Sequence, residues 1–207
     1  MRYEKDTKGL QTYAIGLLLL GATCVISLLQ LGREITVCFL SIKTIAVLLM
    51  AAGLLSASTR EPGFRGAAVI FVLDGILSIA LVVLAVIGLA GRSEMWVTVE
   101  FDIMAATILM DIIGTILTLS GCRCLLENER FAGRTDKWKR KTHGYGLLYA
   151  LVMLGGPAVP IGLSLISMED DRITFYGITG AAVVVFLVSV MVACLVFAIA
   201  GHGEQKQ

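Results

Sequence analysis

Charge is scarce in this sequence. Of its 207 residues, 16% are Asp, Glu, Lys or Arg, against about 25% in a typical soluble domain. The two signs nearly cancel to a formal net charge of +1, so there is no global basic field for nucleic acid, and none is expected as a partner. Histidine is almost missing. His143 and His202 both fall outside the apolar runs, which argues against a histidine-ligated intramembrane haem or metalloprotease; no metal and no cofactor are expected. No Gly-rich phosphate loop and no Ser/His/Asp set stands out, so an enzyme is not expected. Asp74-Gly75 resembles the Asp-Gly of membrane CDP-alcohol transferases, but positions 71 and 78 hold Phe71 and Ser78 where that motif needs charged groups. The five cysteines, Cys24, Cys38, Cys122, Cys124 and Cys194, lie in apolar runs or beside their ends. None sits in a loop suited to an extracellular bridge, so free thiols are expected. An A-x-A cleavage pattern is also missing after the basic start, and the first apolar run reads as a permanent helix rather than a signal peptide.

What the sequence does contain is apolar length. Hydrophobic residues make up 57% of the chain, close to what six membrane helices of about 20 residues need. Six apolar segments run over 10–31, 35–57, 67–90, 95–121, 146–167 and 175–200. Each is long enough to cross ~30 Å of hydrocarbon at 1.5 Å per residue. They lack the ten-residue alternation of a membrane barrel. The expected fold is all-α, a single polytopic membrane bundle of six transmembrane helices over 1–207, arranged as three tandem hairpins.

Basic residues set the expected orientation. Thirteen fall on one side: Arg2, Lys5, Lys8, Arg60, Arg65, Arg123, Arg130, Arg134, Lys137, Lys139, Arg140, Lys141 and Lys206. Three fall on the other: Arg33, Arg92 and Arg172. Both termini are therefore expected in the cytoplasm, of a bacterial inner membrane given the compact chain. The longest loop, 123–145, is then cytosolic and basic. Arg134, Lys137, Lys139, Arg140 and Lys141 are candidate contacts to anionic lipid headgroups; the plainer alternative is that their charge only fixes topology.

Weak internal repetition supports the hairpins. Gly21, Gly75 and Gly155 recur early in the first helix of each pair. Gly53 and Ser56, Gly114 and Gly121, and Cys194 and Gly201 recur late in the second. With segments such as LLLLGATCVISLL, AAGLLSAS and FVLDGILSIA, this layout resembles the HdeD-like acid-resistance membrane family over most of the chain. The family tends to carry a proline near the outer end of each hairpin's first helix; here only the third hairpin does, at Pro157 and Pro160. The resemblance implies a small integral membrane protein of acid stress and carries over no site residue.

Five ionisable residues interrupt the apolar runs: Lys43, Asp74, Glu100, Asp102 and Asp111. Such residues mark either a function or a structural pair. Counted at 1.5 Å per residue, Lys43 and Asp102 lie ~12 and ~10 Å below the outer face, so they are a candidate buried ion pair. Asp74 and Asp111 share a level in the inner half. Glu100, Thr107, Asp111, Thr115, Thr118 and Cys122 follow helical spacing along one face of the fourth helix; Asp102, nine residues from Asp111, falls on the opposite face. One reading is a proton or cation path through Asp74, Asp111, Glu100, Thr107 and Thr115, since two neighbouring carboxylates cannot both stay ionised cheaply in low dielectric. The other is that the same groups only hold the bundle together. In the fifth helix, Gly155, Gly156, Pro157 and Pro160 suggest a helix break, a candidate binding feature if backbone groups are exposed there.

Three functions fit these residues. The first is a non-enzymatic membrane protein of stress response or envelope maintenance, acting through lipid or protein contacts. The second is a small proton- or cation-coupled transporter. The third is an accessory or substrate-binding subunit of a larger transporter. A homo-oligomer or a transporter partner subunit is compatible with the short outer loops.

Overall fold

The computed structural model describes residues 2–27, 33–59, 61–90, 94–127, 135–166 and 171–204. Within these, the side chains of 2–7, 24–27, 33–36, 88–90, 94–98, 100–101, 135–137, 156–166, 171–178 and 202–204 lie outside the description. The described residues form helices: α1 (Arg2–Ser27), α2 (Arg33–Ser58), α3 (Gly63–Ala90), α4 (Glu94–Glu127), α5 (Thr135–Ile166) and α6 (Asp171–Glu204). Among them there is no strand. Four stretches, Val37–Ser58, Gly63–Ile87, Asp102–Glu127 and Thr179–Gly201, are long and apolar enough to cross a membrane. Long apolar helices satisfy every backbone group within the segment, which hydrocarbon demands.

Two features of the helices depart from what the apolar runs suggest. The runs end near Gly121 and restart at Gly146, but α4 continues to Glu127 and α5 already begins at Thr135. Most of the expected 123–145 loop is therefore helix. Lys, Arg and Glu are good helix formers, and the polar residues simply extend each helix beyond its apolar part. The second difference concerns the expected break in α5. The helix runs through Gly155, Gly156, Pro157 and Pro160 to Ile166; each proline removes one backbone donor, and the rest of the hydrogen-bond ladder carries the helix on. The turn between α2 and α3 does stop at a proline. Pro62 follows α2, its carbonyl accepts from Arg65 N at 3.0 Å, and Glu61 O accepts from Phe64 N at 3.1 Å.

The helices close into a ring. Each packs against its neighbours in the chain, and α1 packs against α6. Small residues let the backbones approach, as in membrane bundles generally. A Cβ at Gly53 would lie 2.5 Å from Gly9 O, and one at Gly9 would lie 2.6 Å from Gly53 O, so α1 and α2 touch backbone to backbone. Gly21 of α1 receives Ser189 of α6. Between α3 and α4, Phe64 fills the notch at Gly121 and Phe71 the notch at Gly114. That seven-residue repeat fixes an antiparallel register between the two helices. Outward faces are apolar: Val69, Ile76 and Val83 of α3, and Leu147, Leu151 and Leu154 of α5, are all exposed.

Candidate functional site

The polar stripe of α4 faces into the ring. Thr107, Asp111, Thr115, Thr118 and Cys122 are all buried. Continuing the register of the phenylalanine notches sets Asp74 of α3 opposite Asp111, and Ser78 opposite Thr107. Asp74, Ser78 and Asp111 are each no more than 1% exposed. The bundle is thus polar at this interior level and apolar outside, the reverse of a water-soluble globule.

Lys43 enters from α2. Its Nζ donates to Thr107 Oγ1 at 2.8 Å and lies 3.6 Å from Asp111 Oδ2. Thr107 in turn donates to Met104 O at 2.8 Å, which leaves its oxygen aimed at the ammonium. The Lys43 side chain is 11% exposed and that of Asp111 2%. This corrects the expected Lys43–Asp102 pair. Asp102 is exposed, on the far side of α4. Equal depth does not bring two side chains together when one faces away from the bundle, and the four-carbon stem of lysine lets its charge reach Asp111 on the inward face instead.

The register of α3 against α4 turns the buried Asp74 toward the buried Asp111. Among the described residues, no donor reaches Asp74 Oδ1, Asp74 Oδ2 or Asp111 Oδ1. Acceptor therefore faces acceptor in a water-poor interior. Ser78, one turn from Asp74, also finds no partner for its hydroxyl among the described residues. Toward the basic end, the stripe meets α1: Tyr13 OH, fully buried, lies 3.4 Å from Thr115 Oγ1, and its ring sits 5.9 Å from that of Phe71. From its place near a run end, Tyr13 reads in the sequence as an interfacial anchor at the inner boundary; the structure buries it completely against the stripe of α4.

The remaining candidates scatter. Glu100 belongs to α4, but its side chain lies outside the described residues, as do those of Lys137, Gly156, Pro157 and Pro160; Arg134 lies outside them altogether. Gly155 has nothing within 4 Å of a Cβ position. Lys139 is 3.7 Å from Glu127, Arg140 is exposed, and Lys141 sits 5.7 Å over the Trp138 ring. Cys38, Cys122, Cys124 and Cys194 are unbridged; the Cys24 side chain is outside the described residues. Among the described residues, no three His, Cys, Asp or Glu side chains gather as a metal site would require.

Compared with protein-family models, curated proteins and solved structures, the chain matches none.

Proposed function

We propose that this chain is a non-enzymatic integral membrane protein of six spans, in three tandem hairpins, that takes up and releases a proton, or a cation in its place, at Asp74 and Asp111. The four long apolar helices support the membrane setting. The packing of α1 and α5 alongside them in one ring supports six spans. The basic bias of the sequence supports termini on the cytoplasmic side.

One observation carries the reading: among the described residues, two facing buried carboxyls share one lysine's charge, and that lysine lies against Asp111. With both carboxyls ionised, the site holds one uncompensated negative charge. A net charge at that depth is costly. One added proton makes the site neutral. If Asp74 carries it, its O–H can donate to Asp111 Oδ1, an acceptor otherwise without a donor. Lys43 then stays with Asp111 and Thr107. A small monovalent cation between the carboxyls would restore neutrality in the same way. Loading and unloading thus alternate between a neutral and a charged interior, which is the elementary step of a coupled carrier.

The test is reconstitution in liposomes with an internal pH dye and imposed gradients of protons, Na⁺ or K⁺. Wild type is expected to move charge. Asp111→Asn should abolish that flux, and Asp102→Asn should leave it intact. A silent wild type, with Asp111→Asn changing stability alone, would overturn the proposal. The second reading would then stand: an envelope protein working through lipid or protein contacts, with the polar cluster as bundle glue. It too has a supporting observation, since Lys43 already neutralises Asp111.

A further inference from the structure

At the basic end of the bundle a groove of about 280 Å³ opens between α4 and α5. Its two ends differ in chemistry. Arg123, Ser120 and His143 line the end nearer the basic segment, and Ile116, Leu147 and Ala150 line the other. From Arg123 to Ile116 is seven residues, roughly 10 Å along the helix. Gly146 helps keep the groove open, since a Cβ there would lie 3.4 Å from Leu119 Cδ1.

We propose that this groove holds one anionic phospholipid, its phosphate at Arg123 and His143 and the start of one acyl chain along Ile116 and Leu147. Charge complementarity gives the sign. Seven basic and three acidic residues lie between positions 123 and 141. Glu127 is one turn beyond Arg123 on α4. It accepts the Arg123 Nε–H at 3.1 Å and is 3.7 Å from Lys139 Nζ, so a single carboxylate is shared between two cations and the rim stays positive. Trp138 and Lys141, stacked at the same end, suit the headgroup layer, where amphipathic rings and lysines collect. A free anion would use only the rim. Ile116 and Leu147 are 41% and 59% exposed and continue the groove toward the hydrocarbon, which a lipid chain covers and a phosphate ion does not. The inference depends on the chain spanning a bilayer and is independent of the carboxyl pair.

Native mass spectrometry of the full chain, extracted in mild detergent and titrated with phosphatidylglycerol or phosphatidylcholine, tests this. Wild type should retain one phosphatidylglycerol in preference to phosphatidylcholine. Arg123→Gln should weaken that retention about five-fold, the effect of one basic residue at an anionic surface, and His143→Gln should weaken it less. Ser120→Phe, at an exposed position that fills the groove, should remove it while the melting temperature stays near that of wild type. Arg65→Gln, at an exposed site on the same end but away from the groove, should change nothing. Equal retention of the two lipids, an Arg65→Gln effect as large as that of Arg123→Gln, or displacement of the lipid by inorganic phosphate would each overturn the proposal.

Discussion

Lys43 does not pair with Asp102, the carboxylate counted at its depth. Its ammonium reaches Thr107 and Asp111 instead, and this choice sets the charge balance of the interior. Removing one partner of a buried ion pair strands the other, at a cost of about 3–5 kcal/mol. Lys43→Met should therefore lower the melting temperature of the detergent-solubilised protein sharply. Adding Asp111→Asn should recover most of the loss, whereas adding Asp102→Asn should recover none. Asp102→Asn alone, at an exposed position, should shift stability by less than about 0.5 kcal/mol. The residues of this cluster were legible as interruptions of apolar runs, and spacing alone put Asp111 and Asp102 on opposite faces of α4. Partner choice was not legible. It depends on side-chain reach and on how α2 is rotated against α4, neither of which periodicity encodes.

At the level of helices, small residues decide how closely neighbours pack. Equivalent positions in the three sequence repeats do not play equivalent parts. Gly21 seats Ser189 and Gly75 lies against Leu48, yet Gly155 meets nothing within 4 Å. A Cβ at Gly53 would run into the Gly9 carbonyl and the Tyr13 amide at 2.5 and 2.6 Å, and backbone cannot swing aside as a side chain can. Gly53→Ala should therefore force α1 and α2 apart and cost on the order of 2 kcal/mol, within the range for overpacked cores. Gly144→Ala, with open space around it, should be neutral or stabilising by up to about 1 kcal/mol through helix propensity alone. Thermal unfolding of both variants under the same detergent checks the contrast. The existence of helices was plain from apolar length. Their ends were not, because residues 123–127, bounded by Arg123 and Glu127, and the polar residues 135–145 are helical, and an apolar run marks where hydrocarbon stops rather than where a helix does.

For the whole molecule, the ring of packed helices and the basic bias of the sequence make one joint prediction about sidedness. Cysteines introduced one at a time at Arg92 and Glu204, in a background lacking the native thiols, should react with a membrane-impermeant maleimide from opposite faces of sealed vesicles. Glu127→Cys should behave like Glu204→Cys. Labelling of all three from one face would break the proposed order of spans. The four long apolar helices could be read from composition. The contact of α1 with α6 could not, since no local pattern links residues so far apart in the chain.

That contact has a consequence for biosynthesis. Gly21 is seated by Ser189, a residue made some 170 positions later, so the wall of the ring stays open while the ribosome is still working. Lysine and carboxyl partners in α2, α3 and α4 are inserted well before it shuts. In the proposed six-span arrangement, lipid tails rather than α6 then border the first helix, and a nascent chain stalled before its last helix would show an unsealed seam to membrane chaperones and proteases.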